Sequence, residues 1–205
     1  MTSILARRAV LATTGAAVAL TLFVTSRPGA QAAVTLTLGH GAAPGNPRSV
    51  AAEEFARLVA EKTGGEVTVN IAGSEQLGND VAMLTSLRTG ALDLTANSQG
   101  AVSGLVPEIG ALGLPFLFES ADAAFEVLDG EVGKALEAKF APLGITVLAW
   151  WDNGIRHITN GKKPITTPAD LAGMKIRTPA DPKSIDIFRA LGAATEQIAF
   201  SELYV

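Results

Sequence analysis

The sequence predicts an α/β fold with a mainly parallel sheet, and two observations support this prediction. Residues 34–38 and 67–71 alternate apolar and polar side chains with the period of a strand, and a segment with helical periodicity separates them. A second strand–helix–strand pattern covers residues 174–198. Because the intervening helix carries the chain back across the sheet, each unit places its two strands in parallel.

The composition of the 205-residue chain excludes several classes of protein. The chain has no Cys and only two His, His40 and His157, which lie far apart in sequence. It therefore has no disulfide framework, no thiolate metal site, no Cys nucleophile and no HExxH motif. The formal net charge of −4 argues against nucleic-acid binding, which requires a basic patch. We find no nucleotide-binding glycine motif and predict no cofactor.

Residues 1–32 are predicted to be a cleaved secretory signal peptide. Arg7 and Arg8 precede the uncharged, largely apolar run 9–24, and residues 30–32 form a small-x-small cleavage site. The apolar run is shorter than the roughly 20 residues of a spanning helix, which argues against the alternative of an uncleaved membrane anchor. The arginine pair is also compatible with the twin-arginine export route.

The first predicted unit begins with the strand over residues 34–38. A helix follows, which we expect Ser49 to cap and Gly64 to end, because glycine readily adopts the left-handed conformation after a helix. The strand over 67–71 completes the unit. The apolar stripe of this helix is formed by Ala52, Phe55, Leu58 and Val59.

The next predicted elements are a helix over 80–88 and a short strand over 92–96. The periodicity then fails between residues 97 and 118, where Gly and Pro are frequent. We expect a loop in this region, with a buried apolar segment at 114–118.

Two helices are predicted over 121–128 and 132–143. The run 145–151 is almost continuously apolar, which favours a strand buried on both faces. A further short strand over 155–159 leads to the turn signal Asn160-Gly161.

The last predicted unit comprises a strand over 174–178, a helix over 184–191 and a strand over 195–198. Residues 200–203 resemble the start of a helix, but the sequence stops at Val205 without a closing element. A lobe of about 50 residues buries little apolar surface. We therefore expect an incomplete second lobe, from a fragment or a truncated gene.

Arg177 is the main candidate for ligand binding. It points away from its apolar neighbours at the carboxyl end of its predicted strand, the edge where open parallel sheets bind ligands. A guanidinium can make two parallel hydrogen bonds to a carboxylate, which a lysine cannot. The alternative role is a surface charge or an ion pair. Other strand-end candidates are His40, Asn97, Ser98, Trp151 and Arg156, the last with an ion pair across the lobe junction as its alternative.

The acidic residues suggest no catalytic pair. They lie on predicted helix faces beside basic residues, so we expect them to be solvated. The acids concerned are Glu53, Glu54, Asp80 and Glu126.

Several motifs together resemble the solute-binding proteins of TRAP transporters, the DctP type. They occur in the family's order and spacing from Val34 to Val205. The motifs are W-D-N-G-I-R-H-I-T-N from Trp151, K-P-I from Lys163, P-A-D-L-A-G-M-K-I-R from Pro168, L-G-A from Leu191 and F-S-E-L-Y from Phe200.

The resemblance implies a periplasmic binding protein of type II-like α/β fold, with two lobes of mainly parallel sheet joined by a hinge. It places the first lobe at residues 33–153 and part of the second lobe at 154–205. It also implies a small organic-acid ligand, membrane permease subunits as partners, and no enzymatic activity. The arginine of the K-I-R motif, here Arg177, would pair with the ligand carboxylate. Other residues implied to line the site are Arg156, Phe200, Asn97 and Ser98.

Two other classes of function stay open from the sequence. One is an exported enzyme acting on a small organic acid, which would need a cofactor motif or a titratable pair. The other is a periplasmic sensor module, in which the same binding site would serve a receptor.

Overall fold

The computed structural model describes residues 33–203, so the predicted signal peptide lies outside the described part of the chain. Its first sheet contains β1 (Val34–His40), β2 (Val67–Ala72) and β3 (Leu94–Ala96) in the order β2-β1-β3. Both neighbouring pairs are parallel. The prediction of a parallel sheet from the strand–helix–strand pattern is confirmed, although β3 starts two residues later than residue 92.

The helices α1 (Pro47–Lys62) and α2 (Asp80–Arg88) pack beside this sheet. The prediction that Ser49 caps α1 is wrong. The cap is Asn46, whose side chain accepts a hydrogen bond from the Arg48 amide, and Pro47 occupies the first turn. Proline suits this position because the amide that it lacks would have no partner within the helix. Ser49 is instead buried.

A hydrophobic core fills the space between β1, α1 and α2. Gly39 allows close packing here, since a Cβ atom at this position would lie 2.8 Å from the Met83 sulfur. The buried apolar residues are Leu38, Ala52, Met83, Leu84 and Leu92. The carboxyl end of β1 is thus anchored in the core while its first residues are exposed.

Residues 97–118 are more ordered and more exposed than the sequence suggests. The predicted loop contains the short helix α3 (Gln99–Val102) and a 3₁₀ helix at Pro107–Gly113. The predicted burial of residues 114–118 is wrong: Leu114 and Leu117 are each nearly half exposed, and Phe116 is fully exposed. Phe116 has a φ of 60°, a left-handed backbone that turns its side chain away from the neighbouring helices.

A second hydrophobic cluster lies beneath this region. It is covered by α4 (Ala121–Leu128) and α5 (Glu131–Glu137), followed by a 3₁₀ helix at Ala141–Leu143. The predicted helix over 132–143 is therefore split after Glu137. The buried members of the cluster are Val106, Ile109, Leu136 and Phe140.

The strands predicted over 145–151 and 155–159 do not form among the described residues. A strand needs hydrogen bonds to a neighbouring strand, and the only backbone bond of residues 145–151 joins the Ile145 amide to the Phe140 carbonyl in this part of the structure. Three side chains of the segment, Ile145, Val147 and Trp150, still pack on the second cluster. Residues 155–159 are exposed.

The last unit forms as predicted. It comprises β4 (Lys175–Thr178), α6 (Pro182–Ala190) and β5 (Ala194–Gln197), and its two strands are parallel. A 3₁₀ helix follows at Phe200–Glu202. Within residues 33–203, none of the helices combines the length and apolar character needed to cross a membrane.

Candidate functional site

The carboxyl ends of the two sheets meet. Ser201, which follows β5, donates a hydrogen bond from its hydroxyl to a Glu75 carboxylate oxygen beyond β2. Gly100, which follows β3, stands so close to Asp181 beyond β4 that a Cβ atom at Gly100 would lie 2.5 Å from that of Asp181. Polar residues from both strand edges are therefore brought to one place, as expected for ligand sites of parallel sheets.

Arg177 lies in β4 at this junction and is half-buried. Its Nε and Nη2 atoms donate hydrogen bonds of 3.0 and 2.7 Å to the Ile198 carbonyl, which fixes the plane of the guanidinium. Burial is the main cause that lowers the pKa of Arg177, and the neighbouring Arg156 lowers it further. Two predicted binding residues, Arg177 and Arg156, are thus brought near one another.

A third arginine, which the sequence analysis missed, joins this group. Arg48 in the first turn of α1 donates a hydrogen bond of 2.7 Å from Nη2 to the Asn153 side-chain oxygen. Burial lowers the pKa of Arg48, as does the positive charge of Arg156, whereas Asp80 raises it. Because Arg156 lowers the pKa of both Arg48 and Arg177, it lies within electrostatic range of each.

His40, a predicted site residue at the end of β1, is completely buried. Its Nδ1 accepts a hydrogen bond of 3.1 Å from the Ala42 amide, while Nε2 is a buried polar atom without a partner among the described residues. Burial is the main cause that lowers the pKa of His40. Gly73 makes room for the ring, since a Cβ atom there would lie 2.9 Å from the His40 Cε1.

Asp80 is not the solvated surface acid expected from the sequence. Ser98 donates a hydrogen bond from its hydroxyl to Asp80 Oδ2, and the Asn97 amide donates one of 2.8 Å to the Asp80 carbonyl. Asp80 begins α2, and its position directly after the Asn79 cap turns it toward the strand ends. The two predicted residues Asn97 and Ser98 therefore hold an acid at the site.

Several polar atoms of this region are buried without a hydrogen-bond partner in the described part of the chain. Such atoms are rare in folded proteins and call for a structural or functional explanation. They are His40 Nε2, Asp80 Oδ1, Asn97 Oδ1 and Thr178 Oγ1. His40 and Thr178 are the last residues of β1 and β4, and Asn97 directly follows β3. Asp80 is the first residue of α2, and its carbonyl accepts the hydrogen bond from Asn97.

The predicted aromatic residues are partly exposed. Trp151 is 42% exposed and Phe200 is 40% exposed. The neighbouring Trp150 packs on the second cluster and donates a hydrogen bond of 3.0 Å from its indole nitrogen to Glu137. The two tryptophans are thus divided between the core and the surface.

Two open cavities in the described part of the chain lie away from these residues. One of about 440 Å³ separates α2 and α3 from α6, and one of about 840 Å³ lies between α4, α5 and the segment that precedes them. Neither is lined by a predicted site residue. Residues 33–203 contain no group of three His or acidic side chains placed to hold a metal ion.

Two parallel sheets whose carboxyl ends face one another are typical of proteins that bind small molecules between the sheets. Residues 38–205 match the family of bacterial extracellular solute-binding proteins, family 7 (DctP). The chain belongs to this family, which comprises the periplasmic solute-binding proteins of TRAP transporters. The α/β fold predicted from the resemblance is confirmed by solved structures of such proteins.

Three relatives illustrate the similarity. The uncharacterized protein y4mM of Sinorhizobium fredii is 65% identical over 97% of this chain and 37% of its own length. The 2,3-diketo-L-gulonate-binding periplasmic protein YiaO of Escherichia coli is 38% identical over 84% of this chain and 53% of its own length. A TRAP periplasmic solute-binding protein of Roseobacter denitrificans, solved with bound β-D-glucuronate, is 38% identical and superposes with a TM-score of 0.79 over 83% of this chain and 56% of its own.

The chain spans about half of YiaO and of the Roseobacter denitrificans protein, and just over a third of y4mM. The solved structure has the same arrangement over the part of the fold that the two chains share. The family assignment thus rests on both sequence and structure.

Proposed function

We propose that this chain binds a small organic acid in the periplasm and that Arg177 pairs with the carboxylate of the ligand. The observation that carries the proposal is the guanidinium of Arg177, held half-buried at the junction of the two sheets without an acidic partner within 4 Å in the described chain. A desolvated cation without a counter-charge favours the binding of an anion.

The hydrogen bonds of Arg177 explain how it would act. The Ile198 carbonyl engages Nε and Nη2, whereas Nη1 has no partner among residues 33–203. A carboxylate is a stronger acceptor for a guanidinium than a neutral carbonyl, because it carries a negative charge and can accept two parallel hydrogen bonds. The ligand would therefore add to, or replace, the contact with Ile198.

The remaining predicted site residues have matching roles in this proposal. Arg156 adds positive charge, and Asn97 and Ser98 present polar groups together with Asp80. His40 supplies a buried Nε2 atom, while Trp151 and Phe200 would cover the apolar parts of the ligand.

The relatives support an acid as the ligand. The Escherichia coli protein is a 2,3-diketo-L-gulonate-binding protein, and the Roseobacter denitrificans protein was solved with bound β-D-glucuronate. Both compounds carry a carboxylate beside several polar oxygens. The family consists of solute-binding proteins and not of enzymes.

Export and delivery complete the proposal. Residues 1–32 would direct the chain to the periplasm, by the general secretory or the twin-arginine route. Residues 33–153 and 154–205 would belong to two lobes that close on the ligand, with the segment near Trp151 to Arg156 as part of the hinge. The loaded protein would then deliver the acid to the membrane subunits of a TRAP-type permease.

Substitution of Arg177 tests the carboxylate contact. We expect Arg177→Lys to weaken acid binding by about 30-fold or more, because lysine cannot make the two parallel hydrogen bonds and disrupting a hydrogen-bonded charge pair usually costs about 2–5 kcal/mol. Calorimetry against a panel of organic acids measures the change. Arg57→Lys is the matched control, because Arg57 is an exposed arginine paired with Glu54 and Glu61. Unchanged affinity in Arg177→Lys, or the absence of saturable binding to every acid, would contradict the proposal.

A further inference from the structure

Residues 145–151 form an extended segment with the side-chain pattern of a strand. The segment follows its course without a helix, turn or bend. From Ile145 to Leu148 the side chains alternate between half-buried and exposed, which is the period of a strand that covers a core with one face. Ile145 and Val147 pack on the second cluster, whereas Thr146 and Leu148 are exposed. The segment therefore lies on the core as a strand does, but without a neighbouring strand.

The backbone of this segment carries a row of unused hydrogen-bonding groups. From Thr146 to Trp151, no amide donates a hydrogen bond and no carbonyl accepts one within residues 33–203. The seven residues include no Pro and no Gly, and the β-branched Ile, Thr and Val among them favour strands. An unpaired strand edge of this kind is a template for pairing with a strand of another chain.

The charge distribution favours a second copy of the chain as the partner at this edge. No charged side chain occurs from Phe140 to Trp151, so two copies of the segment can meet without electrostatic repulsion. Along a strand edge, the N–H groups carry partial positive charge and the C=O groups carry partial negative charge. When two identical strands run in opposite directions, the donors of each lie opposite the acceptors of the other. The edge is thus complementary to itself.

Another exposed apolar surface, around Phe116, lacks this self-complementarity. It lies within residues 107–133, which contain six acidic residues and no basic residue. Contact between two copies of this face would bring like charges together, which is unfavourable. The neutral segment 145–151 differs from it in this respect, although the chain as a whole has a net charge of −4.

We propose that residues 145–151 are a self-association surface, at which the same strand of two copies pairs in antiparallel orientation. A two-fold axis relates the copies, and such an axis makes identical paired strands antiparallel. The pairing along one edge gives a dimer. Leu148, which is 67% exposed in the single copy, gains apolar neighbours across the strand pair. This interface is independent of the ligand and of Arg177.

Sedimentation velocity and hydrogen exchange on the full 205-residue chain test the proposal together. We expect the mass to rise from that of one copy to that of two as the protein concentration is raised. The amides of residues 146–151 should exchange at least about tenfold more slowly in the associated chain than in the single copy, because pairing engages them in hydrogen bonds.

A double variant removes a donor from each edge of the segment. Leu148→Pro combined with Ala149→Pro lacks two adjacent amides, which point to opposite edges of a strand. Neither amide has an acceptor in the described chain, so the single copy loses no hydrogen bond. The dissociation constant of the dimer should rise at least about tenfold, because each hydrogen bond is lost twice across the two-fold axis.

Two matched controls separate backbone pairing from the association of apolar side chains. Leu148→Ala removes the exposed side chain but keeps both amides, so it should weaken the dimer less than the double proline variant does. Phe116→Ser removes a fully exposed aromatic side chain from the other surface and should leave the dimer unchanged. Melting temperatures report whether each variant folds. If the double variant does not fold, hydrogen exchange in the unmodified chain decides the question.

Several results would overturn the proposal. A chain that remains a single copy at every concentration lacks the interface. Association without slower exchange at residues 146–151, or association that persists in a folded double proline variant, would place the contact elsewhere, for example at the apolar run 9–24 or around Phe116. Slow exchange of these amides already in the single copy would mean that the strand pairs within its own chain. Assemblies that grow beyond two copies would exclude the two-fold pair.

Discussion

The two sheet regions both contain a parallel strand–helix–strand unit but bury very different amounts of their side chains. The first sheet region, residues 33–103, encloses a core around the fully buried Met83. The second sheet region, residues 168–203, buries two apolar residues, Leu171 and Ala193, and its helix α6 has no buried residue. Parallel pairing is thus set by the local strand–helix–strand pattern, whereas burial depends on which further layers cover the helix.

The second sheet region depends on contacts with other parts of the chain. Asp181 packs against Gly100, and the Lys183 side chain lies 3.0 Å from where a Cβ atom of Gly110 would be. Asp181 is itself buried and caps α6 through the Lys183 amide. The junction that forms the candidate site also supports the smaller sheet, so the candidate site and the local stability depend on the same part of the chain.

The largest expected difference between the regions is the effect of truncating an apolar side chain. Met83→Ala should destabilise the chain by about 2–5 kcal/mol, because it leaves a cavity in the core of the first sheet region. Ile187→Ala in α6 should cost less than about 1 kcal/mol, because this side chain is only half-buried. Urea unfolding measures both values, and equal losses would contradict the difference in burial.

The junction itself can be disturbed at Gly100. Gly100→Ala forces a Cβ atom against Asp181 and should cost about 1–3 kcal/mol, the usual effect of overpacking. Gly161→Ala is the matched control, since nothing lies within 4 Å of a Cβ atom there. Thermal unfolding compares the two. A Gly100→Ala chain as stable as the control would show that the sheets do not press on one another at this point.

A smaller effect is expected at the helix caps. Asn79→Ala removes the hydrogen bond of 3.0 Å to the Ala82 amide at the start of α2, and should destabilise the chain by about 1 kcal/mol. Asn79→Ser keeps a capping oxygen and should restore most of the loss. Urea unfolding of both variants checks the prediction, and an Ala variant no less stable than the Ser variant would argue against the cap.

The smallest effect is the pH dependence contributed by His40. Burial lowers the pKa of His40 in the folded chain, so the unfolded chain binds the extra proton more readily. The stability that depends on neutral His40 is present above the unfolded pKa of about 6.5 and is lost as the pH falls toward the lower folded pKa. His40→Asn retains an acceptor for the Ala42 amide but does not titrate.

Unfolding measured between pH 7.5 and pH 5 in both chains isolates this contribution, because all other titrating groups are shared. We expect the free energy of unfolding to fall more steeply in the unmodified chain. Parallel pH profiles would contradict the prediction, because they would mean that the pKa of His40 is the same in the folded and the unfolded chain. The comparison also concerns the candidate site, because His40 Nε2 is one of the buried polar atoms of that site.

Much of the fold was predictable because its signals are local. Alternation gave the position of β1, helical spacing gave α2 with the observed bounds, and the final strand–helix–strand unit formed as expected. The position of Arg177 near the carboxyl end of β4 followed from the same alternation. For the site, the sequence supplied the strand-end candidates but not their contacts.

The errors arose where burial or pairing depends on distant residues. The apolar run 145–151 has the composition of a buried strand, but it finds no strand partner among the described residues and packs only one side on the second cluster. Residues 114–118 are apolar yet exposed. Hydrophobicity indicates what a segment prefers, and it does not identify the surface that will cover it.

The sequence by itself determined the order of strands and helices, the parallel arrangement and the arginine at the end of β4, because periodicity and strand direction are properties of short segments. Only the tertiary structure decided that Arg48 and Asp80 join the site. These residues lie on helix starts far from Arg177 in sequence, and no local pattern distinguishes them from surface charges. Arg48 and Asp80 reach the region of Arg177 because the carboxyl ends of the two sheets meet. This contact brings together charged residues that are far apart in sequence.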